Sequence, residues 1–167
     1  DGIWSIATEL DVIFSHALVR ETVYHSQLDA RRRSLHAQAA EAMEHVYRGA
    51  ARRPHLYEIA DHYERAGMTA EAHRYLGEAA DYLLEAFDNE RAVRLLRRRL
   101  ELSDDYDLGA RRDLVRGLLR VGAWDESLGI LNECIPLFEE SPDRCNDQDA
   151  VDCYEELGDL LMERGER

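Results

Sequence analysis

His55 and His62 stand seven residues apart, with Glu58 and Asp61 between them. That spacing puts both imidazoles on one side of a helix, and imidazole with carboxylate is metal-ligand chemistry. A protein metal site needs three or four converging ligands, and nothing in the spacing enforces a third. The pair therefore reads as surface histidines. Cys134, Cys145 and Cys153 are odd in number and irregularly spaced, which fits neither a disulfide framework nor a zinc pattern. They read as reduced, partly buried thiols of a cytoplasmic protein. All 21 basic residues are Arg, with no Lys in the sequence. This excludes a phosphate-binding loop ending in Gly-Lys-Ser/Thr and any Schiff-base lysine. No acid/base or nucleophile constellation occurs at a usable spacing. The chain reads as non-catalytic, with no metal and no cofactor of its own.

Charge narrows the partners. The net charge is -14, and it is uneven. Residues 1–100 hold 16 acids and 14 Arg, a balance of -2, whereas residues 101–167 hold 19 acids and 7 Arg, a balance of -12. Nucleic-acid binding gains from counterion release only on a basic face, so nucleic acid is not an expected partner. No apolar run approaches a membrane span. Arg31-Arg32-Arg33 and Arg97-Arg98-Arg99 look like basic patches. Consecutive helical residues point in different directions, however, so interhelical pairing with Glu is the expectation for both triplets.

The elements that carry these residues are helical. From Ser15 onward apolar residues recur at three- and four-residue steps. Helices are expected over about His16–Gln27 (capped by Ser15), Asp29–Arg48 (capped by Asp29), His55–Ala66, Ala70–Phe87 (capped by Thr69), Asp88–Leu102, Asp107–Val121, Ala123–Glu140 and Gln148–Arg164. Gly49 to Pro54 is expected as a loop, and residues 141–147 as a turn-rich one. Ile3-Trp4-Ser5-Ile6 and Val12-Ile13-Phe14 are β-prone and short, so a β-hairpin is expected over 1–14.

An internal register runs through the helices. From Ala60, the residues Ala72, Leu76 and Ala79 follow at steps of 12, 16 and 19, with Gly67 in the turn. From Val115, the residues Ser127, Leu131 and Cys134 follow at the same steps, with Gly122 in the turn. Small residues recur where two helix axes must approach closely. A third start appears at Tyr154, Leu157, Gly158 and Leu161. The helix after Asp88 fits as a second helix of a pair through Ala92 and Leu96, with Ala80 and Leu83 facing it. This spacing is that of a tetratricopeptide unit. The expected fold is all-α, with antiparallel helical hairpins stacked as a tetratricopeptide-like superhelix over 15–140. A loop over 141–147 and the first helix of a truncated further repeat over 148–167 would follow.

A more specific likeness lies in Phe14-Ser-His16-Ala-Leu18-Val-Arg20-Glu-Thr-Val-Tyr24, in Arg31-Arg32-Arg33, in Ala39-Ala40-Glu41-Ala42-Met43-Glu44 and in Glu58-Ile-Ala60-Asp-His62-Tyr63-Glu64-Arg-Ala-Gly67. These resemble the helical repeat region of bacterial signalling ATPases of the STAND type. In that family a nucleotide-binding domain and a winged-helix segment precede the repeats. An adenylate/guanylate cyclase domain or a LuxR-type DNA-binding domain completes the protein. The resemblance implies a regulatory, protein-interaction module, with a cyclase-associated parent as the first reading. A LuxR-type regulator and a purely structural spacer are the alternatives. It also implies that residues 1–14 are the remnant of an upstream winged-helix-like unit contacted by Phe14, His16 and Arg20.

In a tetratricopeptide array the first helix of each pair lines the inner groove. By that register the groove residues are Tyr57, Asp61, Glu64 and Arg65, then Arg112, Arg116 and Arg120, then Asp152, Glu155 and Asp159. Such a surface suits a protein or peptide segment with patterned charge, including another domain of the same parent. The final helix is expected to lack a partner, which leaves homo-oligomerisation through it as an option.

Overall fold

Small residues at the helix crossings set the architecture. The computed structural model describes residues 4–6, 12–14, 17–103, 106–141, 143 and 147–163. Among them, Trp4–Ile6 (β1) pairs antiparallel with Val12–Phe14 (β2), Trp4 opposite Phe14. All other regular structure is helical: α1 (Ala17–Ser26), α2 (Asp29–Val46), α3 (Leu56–Ala66), α4 (Thr69–Glu85), α5 (Asn89–Glu101), α6 (Leu108–Arg120), α7 (Trp124–Glu140) and α8 (Asp147–Glu163). From α2 on, each helix packs on the next one in sequence. The fold is an all-α, helical-repeat-like arrangement. Among the described residues no helix is long and apolar enough to cross a membrane.

The register read from the sequence is the register of the core. Ala60, Ala72, Leu76 and Ala79 are all buried, and so are Val115, Ser127, Leu131 and Cys134. The polar members of the second set are satisfied within α7: Ser127 Oγ donates to the Ala123 carbonyl at 3.0 Å and Cys134 Sγ to the Ile130 carbonyl at 3.3 Å. Helix α4 is buried on two sides. Ala72, Tyr75, Leu76 and Ala79 join α2 and α3 in one cluster, whereas Ala80 and Leu84 join α5 and α6 in the next. Residues of α6, α7 and α8 form a third cluster. The core is thus a strip along the chain.

Three turns share one hydrogen-bond pattern. The N–H of Met68 donates to the carbonyl of Tyr63 at 2.9 Å, Asp88 to Leu83 at 2.9 Å and Ala123 to Leu118 at 3.0 Å. Each bond spans five residues, and the residue before the donor is left-handed: Gly67 (φ 80), Phe87 (φ 60) and Gly122 (φ 76). Glycine relieves the Cβ clash such a cap imposes. Phe87 occupies the position without that relief, and its ring is 82% exposed.

Several expected boundaries shift. Thr69 is the first helical residue, and Met68 holds the capping position without a side-chain bond. Asp29 lies inside α2 and pairs with Arg32 and Arg33 instead of capping. Asp107 does cap α6, accepting from the Ala110 N–H at 2.8 Å. Gly49 to Pro54, expected as a loop, winds with His55 into 3-10 turns with Pro54 inside, where proline has no N–H to give an α-helical bond, and His55 precedes α3 instead of opening it. Ser15 and His16 lie outside the described residues.

Among the described glycines Gly117 has the least room for a side chain. A Cβ built there would sit 2.9 Å from Leu96 Cδ1 and 3.2 Å from Val93 Cγ2 of α5. Gly129, exposed on α7, would meet nothing within 4 Å. Gly117→Val is expected to cost about 1–3 kcal/mol in urea unfolding through overpacking. Gly129→Ala should gain about 0.5–1 kcal/mol from helix propensity. Phe87→Gly should raise the urea unfolding midpoint, equivalent to up to about 1 kcal/mol of added stability, because it removes left-handed strain.

Candidate protein-interaction pocket

The candidate site is a pocket of about 640 Å³ above α4, between α3 and α5. Helical periodicity builds it from three stripes. Tyr57, Asp61 and Glu64 of α3 follow steps of four and three, and Arg91, Arg94, Leu95 and Arg98 of α5 line the opposite wall. Leu76, Ala79, Tyr82 and Leu83 of α4 form the floor, and Arg53 and Pro54 close one end. Floor residues are buried or half-buried, and the wall arginines are exposed.

Ion pairs hold the walls. Arg98 reaches across from α5 to the Glu64 carboxylate of α3 and also pairs with Glu101. These hydrogen bonds, Glu64 first, raise the Arg98 pKa further above its ordinary range. Arg53 pairs with Glu85, and its guanidinium lies 5.1 Å from the centre of the Tyr82 ring. Asp61 accepts from Arg65 at 2.8 Å. Among the described residues Arg91 reaches only Asp88, at 3.2 Å, the residue at the capping position of its own helix. Arg94 makes no ion pair among the described residues.

Of the ten groove residues expected from sequence, Tyr57, Asp61 and Glu64 line this pocket. Arg65 lies beside them, turned toward Tyr24 and Asp61, whose hydrogen bond raises its pKa. The other six are elsewhere. Arg112 is taken up by Asp149 at 3.0 Å and by Asp152, tying α6 to α8. Burial opposes its charge, but Asp149 and its neighbours outweigh that and raise its pKa. Arg116 pairs with Asp81 at 2.6 Å, and Arg120 donates to the Leu84 carbonyl at 3.0 Å. Arg116 and Arg120 stay exposed while making these contacts, so the basic face of α6 is held by partners on α4 and α8. Glu155 and Asp159 are exposed on α8. Phe14 lies in β2 and Arg20 in the first turn of α1; His16 is outside the described residues.

The triplet Arg97-Arg98-Arg99 serves three directions: Arg97 pairs with Glu126 of α7 at 2.8 Å, Arg98 with Glu64 of α3, and Arg99 with Asp113 of α6. In the other triplet, Arg32 and Arg33 pair within α2 rather than with Glu of another helix. The sequence reading missed Arg53, Tyr82, Leu83, Arg91 and Arg94. The three-and-four spacing of Arg91, Arg94 and Arg98 was the available signal.

The histidines separate. His55 pairs with Glu58 at 2.8 Å and stacks on Tyr47 at 3.8 Å. His62 meets His36 of α2, Nδ1 to Nδ1 at 2.8 Å, and His36 Nε2 meets the Tyr24 hydroxyl at 3.1 Å. Among the described residues no group of three or more His, Cys, Asp or Glu could hold a metal ion. Cys134 and Cys153 are buried free thiols in the α6–α8 cluster. Cys145 is outside the described residues. No protein-family model matches the chain, and no curated protein matches it significantly.

The His36–His62 contact predicts a pH dependence. Burial lowers both pKa values below the ordinary 6.5; His36 is lowered further by His62, while Asp61 works the other way on each. Arg65 also lowers both, Arg32 lowers His36, and Glu58 raises His62. A folded state with lowered pKa binds fewer protons than the unfolded chain just below that value. The stabilisation is complete above the unfolded pKa of about 6.5 and is lost as pH falls through the folded pKa. The urea midpoint should therefore drop between about pH 7.5 and about pH 5.5, and drop less in His36→Gln. An equal drop in wild type and variant would place the effect elsewhere, His73 being the other histidine that burial lowers.

Proposed function

We propose that this chain is a non-catalytic, regulatory protein-interaction module of a larger bacterial signal-transduction protein. In this reading its hairpins stack as a tetratricopeptide-like superhelix, and the parent is a STAND-type ATPase with a cyclase or LuxR-type output domain, working in the cytoplasm. The β1–β2 segment, with Phe14, His16 and Arg20, is the exit from an upstream winged-helix-like unit.

The observation that carries the reading is the open pocket between α3 and α5, with an apolar floor and an exposed charged rim. A surface of that kind holds a chain segment by an anchored side chain and a polar margin. The repeated register and the shared turn geometry support a repeat array. The Arg112 and Arg116 pairs favour a spacer role for α6–α8, so the interaction surface is placed on α3–α5.

Selection of an unbiased peptide library on the purified chain should yield binders. Their affinity should fall about tenfold or more in Tyr57→Ala, consistent with losing an aromatic anchor. The circular-dichroism spectrum should not change, because Tyr57 is 51% exposed. A library that yields no binder, or binders indifferent to Tyr57→Ala, removes the pocket as an interaction site.

A further inference from the structure

The pocket is a positive patch on a strongly acidic chain. Its lining holds four guanidiniums, from Arg53, Arg91, Arg94 and Arg98, against two carboxylates, from Asp61 and Glu64. Both carboxylates are already engaged, Asp61 by Arg65 and Glu64 by Arg98. Neither is free to receive a cation. On the opposite wall the balance is reversed. Arg94 has no acidic partner among the described residues. Among the described residues Arg91, with a side chain 61% exposed, holds only the pair with Asp88 at the capping position of its own helix, and an exposed pair of that kind contributes little. Two guanidiniums therefore face the pocket with unspent hydrogen-bond donors.

We propose that the pocket binds an acidic peptide segment, with carboxylates on Arg91 and Arg94 and an apolar side chain beside them on the α4 floor. This rests on the interaction-module reading and names the partner's chemistry. The dimensions set its pattern. Arg91 and Arg94 are three residues apart on α5, a rise of about 4.5 Å at 1.5 Å per residue. An extended peptide covers that span in about one to two residues. The segment therefore carries two carboxylates one or two positions apart, beside an aliphatic or aromatic anchor. Arginine rather than lysine on the wall allows two-pronged bonds to each carboxylate.

The chain's net charge of -14 does not forbid this. At physiological salt the screening length is about 8 Å, so charges beyond the pocket count for little against guanidiniums in contact. The acidic balance of residues 101–167 instead sets a condition: an acidic segment gains nothing from the chain elsewhere, so it is held at this pocket or not at all.

The unbiased library selection is the test, read for composition and followed by fluorescence anisotropy on synthetic peptides. Binders should be enriched in Asp and Glu beside an apolar residue. A peptide of the enriched pattern should bind at least about tenfold tighter than its Asn/Gln analogue, the equivalent of about 1.4 kcal/mol. It should lose a similar factor in Arg94→Glu. Arg31→Glu, at an exposed position on α2 outside the pocket, should leave binding unchanged. Binders without acidic enrichment, or binding that survives Arg94→Glu, would overturn the inference while the module reading stands. A library with no binder removes both. Displacement of the peptide by micromolar pyrophosphate would make the occupant a small anion. Self-association of the wild type that Arg94→Glu abolishes would make it a second copy. Either result overturns the peptide assignment.

Discussion

Close approach of helix axes is the constraint on which everything else rests. Ala60, Ala72, Ala80 and Ala92 are all at or below 1% exposed, and Gly117 admits α5 to a distance that leaves no room for a methyl. Small side chains at the crossings let the large ones, Tyr63, Tyr75, Leu96 and Leu131, fill the space on either side. The turns then follow. Two hairpins use glycine for the left-handed cap, and the third forces Phe87 into it. That the strained turn has the same five-residue bond as the others says that packing of α4 on α5 dictates the turn, and not the reverse.

Electrostatics works on this frame as a set of cross-ties. Helix α5 sends guanidiniums to α3, α6 and α7 from three successive residues. Helix α6 sends them to α4 and α8 through Arg116 and Arg112. Most are at least partly exposed, so each contributes little to stability. Their effect is on angle: a pair across two helices is made only at one relative rotation. Glu44 does the same at the other end, where it accepts from the Tyr75 hydroxyl and ties α2 to α4. Glu44 and burial together raise the pKa of Tyr75, so the hydroxyl stays a donor.

What was legible in the sequence was periodic. The steps of 12, 16 and 19 from Ala60 and Val115 pick out buried residues without exception, because size and apolarity are properties of single side chains. Partnership between charges is not. Arg112, Arg116 and Arg120 do share a face of α6, yet what that face meets depends on where α4 and α8 arrive: the acids that Arg112 and Arg116 reach on α8 and α4 lie 40 and 35 residues away, and Arg120 ends on the Leu84 carbonyl. The pocket was half legible for the same reason. Its α3 wall follows from one helix, whereas its α5 wall exists only once α4 has set the spacing between them. Helix caps were the least legible, since Thr69 and Asp29 sit one position inside the ends they were expected to cap.

Nearest-neighbour packing also gives the molecule an elastic character. Helices α3 and α5 each lie along α4, and among the described residues the ion pair of Arg98 with Glu64 spans the gap between them. Curvature of the stack at α4 therefore opens or narrows that gap directly. On the proposed interaction reading, a load that bends the helices there would change the grip of the pocket, and an occupant wedged in it would resist the bending, so that shape and occupancy would be linked.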